Sequence, residues 1–399
     1  MKLDKYQNLW TFKLILLVMC HLVGTINIVA VLALAPIISA DFQLNAIDFG
    51  FLISAYYGGQ AIWSMPSGVL VDRYGVAKVL VFSHIIMASA ALLLGLAEGY
   101  RLSLFSLFLM GVGYSMTNPG TGRAVLVWFV PELRGTAMGI KQVGVPLGGI
   151  IASSALSLAS IIQWQSMMLG AGGLIFLNGV FCLFLFKGDR TVDQLRASPF
   201  VNLKEVIRMP QLQINALLNG LINIGQINFF SFLTLYLREV AFASLPMASF
   251  AIGFAQTTSA FGRIFWGVIC DKWFIGRRRV LMGLLTGGAS VLLFSMVWVN
   301  PGWGFWLGLT LAGLLGFSIA SYAPIALAMT LEMVEPRLSG SALGCSMTGV
   351  FIGGMIGPPV FGLVIDLSGS FETGWVFTSV ATCVGVLILT FCFKEGIQK

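Results

Sequence analysis

Two basic side chains, Arg123 and Lys141, stand inside stretches of sequence that are otherwise strongly apolar. A charge in hydrocarbon is costly unless it is paired or faces water, so such residues mark candidate binding sites and ion pathways. Two cations that face one internal space would attract an anion. The alternative is that both side chains extend to the inner membrane surface or pair with an acid such as Asp72 or Glu132.

A stripe of amide side chains at Asn215, Asn219, Asn223 and Gln226 follows one face of a helix. Because such a stripe is implausible against lipid, it faces either a water-filled cavity or a neighbouring helix, and the sequence leaves both open. More isolated polar side chains could likewise contact a substrate or only pack; these candidates are Asn118, Gln142, Gln256 and Tyr322.

Carboxylates avoid the middle of the apolar stretches. The 16 acidic residues lie in loops or near the ends of these stretches, and Asp48 is the least peripheral. A mid-membrane carboxylate that could carry a coupling proton or bind a cationic drug is therefore not evident. His21 is the remaining candidate for proton coupling because imidazole titrates near neutral pH, although a lone histidine in an apolar stretch is more often a packed, neutral side chain.

The six cysteines show no metal-ligand spacing such as CxxC. We interpret them as small hydrophobic residues and predict neither a disulfide framework nor a metal site. The sequence also contains no nucleophile–base arrangement, no phosphate-binding loop and no pair of catalytic acids. These observations predict a protein that is not an enzyme and that uses no cofactor.

The composition of the chain indicates which kind of secondary structure contains these candidate residues. Of the 399 residues, 57% are hydrophobic and 10% are charged, whereas soluble domains carry about 25% charged residues. The sequence predicts an all-α polytopic membrane protein, because apolar runs of about 20 residues are long enough to cross a bilayer. Twelve predicted transmembrane helices lie near 12–38, 46–71, 77–98, 102–129, 134–158, 163–186, 211–238, 245–270, 279–299, 303–331, 338–365 and 372–393.

The basic residues predict the orientation of these helices. Nearly all lysines and arginines fall on one side, among them Arg263 and the run Arg277–Arg279, while the other side holds only Arg101 and Arg238. By the positive-inside rule both termini are cytoplasmic, and we predict a multi-pass protein of the inner (cytoplasmic) membrane. The net charge of +7 is thus a signal of topology, so we predict a lipid bilayer and no nucleic acid as partner.

The chain repeats itself. Shifted by 205 residues, 131–151 matches 336–356, with glycines paired at Gly139/Gly344, Gly144/Gly349 and Gly148/Gly353. Glycines four residues apart let helix backbones approach closely, and we assign these helices to the interface between the two halves. The predicted domains are pseudo-symmetric six-helix bundles at 1–187 and 211–399, joined by a cytoplasmic linker at 188–210.

The segment Gly68-Val-Leu-Val-Asp-Arg-Tyr-Gly75, between the second and third predicted helices, resembles the signature loop of the major facilitator superfamily. A degenerate second copy begins at Gly267. The resemblance implies two halves around a central site, with predicted helices 1, 4, 7 and 10 lining a cavity. It also implies a cytoplasmic charge cluster that holds the outward-open state; the gating candidates are Gly68, Asp72, Arg73, Gly75, Gly267, Asp271 and Lys272.

These observations favour a secondary transporter that works as a monomer by alternating access. Arg123, Lys141 and the missing internal acids favour a small organic anion of carboxylate type, and the region of the fifth predicted helix resembles organic-anion branches of the superfamily. Coupling would be proton symport or anion exchange. The alternatives are a proton-coupled exporter of amphipathic or drug-like compounds and a membrane sensor that transports nothing.

Overall fold

Helices form all the regular structure in the part of the chain that the computed structural model describes, which is 12–129, 131–184, 205–274, 277–300, 302, 304–334 and 338–394. The first ten are α1 Phe12–Ala33, α2 Ala35–Asp41, α3 Ala46–Tyr74, α4 Val76–Gly95, α5 Tyr100–Ser115, α6 Thr117–Trp128, α7 Pro131–Gln142, α8 Gly144–Ser153, α9 Ala155–Leu158 and α10 Trp164–Cys182. The remaining seven are α11 Pro210–Glu239, α12 Leu245–Trp273, α13 Arg278–Ser295, α14 Gly304–Phe317, α15 Ala323–Glu332, α16 Ser339–Ser368 and α17 Phe371–Phe391.

Helices occupy each of the twelve predicted stretches, but only some are long and apolar enough to cross a membrane by themselves. Among the described residues eight helices satisfy this criterion, or nine if the bent pair α2–α3 is one span. The stretches that do not satisfy it are the fourth, fifth and eighth predicted helices. These three stretches contain Arg123, Lys141 and Gln256, although other candidate binding residues lie in stretches that satisfy the criterion.

Two of the helix breaks are related by the internal repeat. The fourth predicted helix is divided at Met116 into α5 and α6, and the tenth is divided into α14 and α15 by a short 3-10 segment at Ile319–Ser321. Pro119 and Pro324 stand in the first turns of α6 and α15. Proline has no backbone N–H to donate and is tolerated in the first turn of a helix, so each proline favours a new helix start.

The helices of the two halves pack in equivalent pairs. In the first half α1 packs on α8, α3 on α5 and α4 on α10. In the second half α11 packs on α16, α12 on α14 and α13 on α17. Two long contacts join the halves, one between α3 and α16 and the other between α8 and α12.

The repeated glycines permit the closest of these contacts. A Cβ atom added at Gly144 or Gly148 would overlap the backbone of α1, and one added at Gly349 or Gly353 would overlap the backbone of α11. Close backbone approach, as predicted, is therefore what these glycines provide. Both pairs face a helix of their own half, but the helices that carry them, α8 and α16, also make the main contacts with the other half, as predicted.

The halves meet directly at the predicted outer end. The Asp366 carboxylate, near the end of α16, accepts hydrogen bonds from the first backbone N–H groups of α3, at Ala46 (3.1 Å) and Ile47 (2.8 Å). Close by, the Thr234 hydroxyl of α11 donates to the Leu32 carbonyl of α1 at 2.9 Å. An anion at a helix N-terminus is favoured by unpaired N–H groups and by the helix dipole, so Asp366 stabilises this contact between the halves.

Replacing Asp366 by asparagine is expected to shift the protein toward opening at this end. The neutral amide keeps an acceptor but loses the charge, a change worth about 0.5–1 kcal/mol at an exposed helix terminus, or about 2–5-fold in population. The measurement is the distribution of distances between spin labels on the outer ends of α3 and α16. Glu372→Gln is the matched control, because Glu372 lies in the first turn of α17. An unchanged distribution in Asp366→Asn at low salt would contradict the expectation.

Candidate functional site

Lys141 lies in a polar cluster where α1, α6 and α7 meet. Its ammonium group donates to the Thr121 hydroxyl at 3.0 Å, and His21 Nε2 is 2.9 Å from the same oxygen. The Thr121 hydroxyl donates its own hydrogen to the Thr117 carbonyl at 2.7 Å. With that hydrogen used, Thr121 can only accept from the other two groups, so His21 carries its hydrogen on Nε2.

The side chains of Lys141 and His21 are both buried in this cluster. Lys141 is 2% exposed, so its side chain does not extend to the inner membrane surface. His21 is fully buried, and its Nδ1 has no hydrogen-bond partner among the described residues. A neutral ring fits this environment, since a second ring N–H would be left without an acceptor. Thr121, which joins both residues, was not identified from the sequence.

Asn118 and Gln142 also come together beside this cluster, with the Gln142 amide donating to the Asn118 side-chain oxygen at 3.3 Å. Both side chains are partly accessible, and so is Arg123 one turn further along α6. The first half thus brings Asn118, Lys141 and Gln142 together at the junction of α6 and α7.

The amide stripe of α11 faces protein over most of its length. Asn215 donates to Thr330 (2.9 Å), Asn219 to Ser346 (3.1 Å) and Asn223 to the Val350 carbonyl (2.7 Å). All three asparagines are buried, and their contacts are the helix-to-helix packing that the sequence left open as the alternative to a cavity. Gln226, the fourth member of the stripe, is partly accessible.

The Lys141 cluster has a neutral counterpart in the second half. Gly148 packs on Leu22 and the equivalent Gly353 packs on Gly220, so the preceding residues His21 and Asn219 occupy equivalent positions. The 205-residue shift places Ser346 at the position of Lys141. The same helix crossing therefore holds a histidine and a lysine in the first half but an asparagine and a serine in the second.

Arg263 is the basic residue that the sequence analysis misplaced. It lies inside α12, ten residues before the helix ends at Trp273, which corresponds to roughly 15 Å of helix. Its assignment to the inner membrane surface is wrong. The sequence already indicated this position, because Arg263 falls within the predicted helix at 245–270. It should not have been counted among the charges of the loops.

The Arg263 side chain faces tyrosines from both halves. Tyr114 and Tyr322 lie within electrostatic range of its guanidinium, and Tyr57 lies within range of the same two phenols. Arg263 Nε is also 3.5 Å from the Ser259 hydroxyl, and Tyr114 lies 3.3 Å from the Thr25 hydroxyl. We call Tyr57, Tyr114, Arg263 and Tyr322 the tyrosine–arginine site. Tyr322 was a candidate from the sequence; the other three were not.

The tyrosine–arginine site lies where the two halves touch. Tyr57 of α3 packs on Gly354 of α16, and Gln256 of α12 packs on Gly149 of α8. Gln256 and Arg263 are two turns apart on one face of α12. Arg263, Tyr57 and Tyr114 are partly accessible even though each belongs to a helix at the centre of the molecule. Such side chains can donate several hydrogen bonds to a bound anion.

The gating candidates are described only in part. The side chains of Asp72 and Asp271 lie outside the described residues, so their predicted pairing stays a prediction. Gly75 ends α3 with a φ of 85°, a conformation that strongly favours glycine. A Cβ atom at Gly68 or Gly267 would meet open space.

The basic side chains of the gating candidates are exposed. Arg73 packs over the ring of Tyr74 and Lys272 is exposed. Nearby, Arg278 forms a 2.8 Å ion pair with Glu332, and Arg279 donates to the Phe393 carbonyl. These contacts tie the start of α13 to the C-terminal ends of α15 and α17.

Comparison with known proteins gives a family match and several relatives. The model of the family described as Major Facilitator Superfamily matches residues 15–321 and 243–396. The chain is 25% identical to a probable galactarate/D-glucarate transporter of Escherichia coli over 87% of this chain and 85% of the relative. It is 23% identical to a probable sulfoacetate transporter of Cupriavidus necator, with 96% and 94% covered, and 22% identical to a hexuronate transporter of Bacillus subtilis, with 95% and 94% covered.

Among solved structures, the fold is similar to that of a bacterial homologue of the human lysosomal transporter Spinster in an inward-facing, occupied conformation. The TM-score is 0.77 at 16% identity, with 94% of this chain and 95% of that chain covered. The inward-facing, unoccupied conformation gives a TM-score of 0.73.

Proposed function

Because the chain belongs to the major facilitator superfamily, a family of secondary transporters, we propose that it moves a small organic anion of carboxylate type across the membrane by alternating access. The family consists of transporters rather than enzymes, which confirms the expectation that the chain is not an enzyme. The chain is a multi-pass membrane protein, and the cytoplasmic membrane is its proposed location.

The observation that supports an anionic substrate most strongly is the placement of charge. Arg263 and Lys141 are cations inside the helical bundle, one from each half. The carboxylates whose side chains are described lie at helix ends or in connections: Asp41, Asp48, Glu98, Glu205, Glu239, Glu332, Asp366 and Glu372. A positive interior without described internal acids favours an anion and disfavours a lipophilic cation.

Arg263 is the residue that we propose contacts the substrate. Its guanidinium presents N–H groups in a planar fork that matches a carboxylate, and Arg–carboxylate pairs are often bidentate. The phenols of Tyr57, Tyr114 and Tyr322 supply further donors around it. Lys141 contributes mainly through its charge, because its ammonium group is buried against Thr121.

The relatives support the same substrate class. The three transporters named above are described as carrying galactarate or D-glucarate, sulfoacetate, and hexuronate. Each of these compounds carries a carboxylate. At 22–25% identity we infer from these relatives only that the substrate carries a carboxylate. The ligand panel below tests what the rest of the substrate is.

We further propose that the twelve helical stretches are twelve spans in two bundles, 1–187 and 211–399, which rock about the contacts of α3 with α16 and α8 with α12. Asp366 and Thr234 join the halves at the predicted outer end, and we assign this conformation to the inward-facing state. Transport would be coupled by proton symport, with the proton carried by the substrate or His21, or by exchange of one anion for another. The transporting unit is a monomer.

Thermal unfolding of the purified full-length protein in detergent tests the substrate class. The panel is glucarate, glucuronate, sulfoacetate, inorganic phosphate, a neutral sugar and a lipophilic cation. A ligand that binds only the folded state stabilises it by about 2.7 kcal/mol at 100 times its Kd, so we expect one carboxylate to raise the Tm by a few degrees. Stabilisation by the lipophilic cation but by no carboxylate would overturn the proposal and favour an exporter.

A further inference from the structure

A second polar cluster lies in the first half, where α1, α4 and α10 meet. It contains Cys20, His84, Asn178 and Cys182, all buried with at most 4% exposure. One ligand atom from each of Cys20, His84 and Cys182 lies within 4.8 Å of the others. None of these residues takes part in the proposed transport site, and four convergent polar side chains in an apolar bundle require a physical reason.

The spacing of the two cysteine sulfurs fits two neighbouring ligands of one metal ion. The two sulfurs of Cys20 and Cys182 are 3.6 Å apart, and a tetrahedral zinc ion with Zn–S bonds of about 2.3 Å would hold them about 3.8 Å apart. The Asn178 amide nitrogen is 3.5 Å from the Cys20 sulfur and 2.8 Å from His84 Nε2. Two sulfurs, an imidazole nitrogen and an amide group thus face one another.

His84 is oriented as a ligand. Its Nδ1 lies 2.7 Å from the Leu80 carbonyl and donates to it, which leaves the lone pair of Nε2 directed at the cluster. A histidine that binds a metal commonly donates its other ring N–H to a carbonyl or carboxylate, which fixes the tautomer and the ring orientation. Rotation of the Asn178 amide would present its oxygen in place of its nitrogen and complete a set of four protein ligands.

The backbone of α10 is adapted to this arrangement. Asn178 and Cys182 are one helical turn apart and share a face. Between them, Gly179 packs on His84, since an added Cβ atom would lie 2.8 Å from the Cβ atom of His84. Cys182 is the last residue of α10, and the side chains of Leu183 and Phe184 that follow are exposed. The cluster therefore lies at one end of α10.

We propose that Cys20, His84, Asn178 and Cys182 form a structural zinc site that joins α1, α4 and α10. When Zn²⁺ binds, the two thiols each lose a proton to solvent and two Zn–S bonds form, so the bound core carries no net charge. A neutral core suits an apolar interior, where an uncompensated charge would be costly. Cu⁺ bound to two thiolates would leave a negative charge. Cys20, His84 and Cys182 supply the sulfur and nitrogen ligands that zinc commonly takes, and the Asn178 amide oxygen would fill the fourth position of a closed, structural site.

All four proposed zinc ligands come from the first half, and the position equivalent to Cys20 in the second half holds a different residue. The glycine contacts that relate Leu22 to Gly220 place the buried Leu218 at the position of Cys20. The sequence analysis predicted no metal because it examined spacing along the chain. Here the ligands come from three helices, with His84 64 positions after Cys20 and Cys182 98 positions after His84, so no short motif exists to be found.

Metal analysis of the full-length protein tests the proposal. The protein is purified with reductant through a tag that contains no histidine, and its zinc content is measured by mass spectrometry. We expect about one zinc per chain. After the zinc is removed by a chelator, Co²⁺ is expected to restore the thermal stability and to give the thiolate-to-cobalt absorption of a tetrahedral site. His84→Ala is expected to weaken zinc binding by at least about 100-fold.

Matched variants separate this site from the other cysteines. Cys182→Ser is expected to abolish the thiolate-to-cobalt absorption, whereas Cys383→Ser, at an exposed cysteine, is expected to leave it unchanged. Wild-type protein with reduced thiols but neither zinc nor a cobalt signal would overturn the proposal. A Cys20–Cys182 disulfide in protein isolated without reductant would also overturn it. The wild-type cobalt spectrum decides the question even if a variant fails to fold.

Discussion

Arg263→Gln is expected to weaken binding of the transported carboxylate by about 100-fold. The arginine lies inside the bundle among tyrosines of both halves, so its attraction for an anion is only weakly screened by solvent. Removing one partner of a desolvated, hydrogen-bonded charge pair costs about 3 kcal/mol, and each 1.4 kcal/mol is about tenfold in affinity. The measurements are the Kd of the stabilising anion from the previous panel and its uptake into proteoliposomes.

Two further variants show whether the effect is local. Arg263→Lys keeps the charge but loses the planar fork, so its affinity is expected to lie between those of wild type and Arg263→Gln. Arg238→Gln is the matched control, because Arg238 donates to the Ala243 carbonyl near the end of α11, away from the site. If Arg263→Gln folds and binds the anion as tightly as wild type does, Arg263 does not contact the substrate.

The second large effect is expected from alanine at the glycines that permit close helix contacts. In Gly353→Ala the new methyl group would overlap the backbone of Gly220, and in Gly148→Ala it would overlap that of Leu22. Backbone atoms cannot move aside as a flexible side chain can, so the helices must separate. Overpacking of this kind costs about 1–3 kcal/mol or more, and we expect lower yields of folded protein and a Tm reduced by several degrees.

Each substitution has a control in the same part of the repeat. A Cβ atom at Gly344 of α16 or at Gly139 of α7 would meet nothing within 4 Å. Gly344→Ala and Gly139→Ala are therefore expected to be neutral or to stabilise by up to about 1 kcal/mol, because alanine favours a helix more than glycine does. Equal destabilisation at all four positions would show that helix contact is not the cause.

The asymmetry between the halves bears on mechanism. Equivalent crossings hold His21, Thr121 and Lys141 in the first half, and Asn219 and Ser346 in the second. The tyrosine–arginine site places its single cation, Arg263, in the second half. Lys141 and Arg263 thus come from different halves and from non-equivalent helices, so in the proposed mechanism a bound anion would interact with both bundles as they move.

Much of this protein follows from the sequence alone. The apolar stretches predict helices because a backbone in hydrocarbon must satisfy its hydrogen bonds within the segment. The 205-residue repeat predicts equivalent packing, and the glycines at Gly144, Gly148, Gly349 and Gly353 predict close backbone contacts, which the helices do make. The loop from Gly68 to Gly75 identifies the family, which the family match over 15–321 and 243–396 confirms.

Only the tertiary structure decides which neighbour each polar side chain meets. Helical periodicity places Asn215, Asn219 and Asn223 on one face, but whether that face meets water or the hydroxyls of α15 and α16 depends on how helices far apart in sequence pack. Arg263 becomes central, and Cys20, His84 and Cys182 become neighbours, for the same reason. Periodicity is a property of a single helix, whereas a site between helices is a property of their packing.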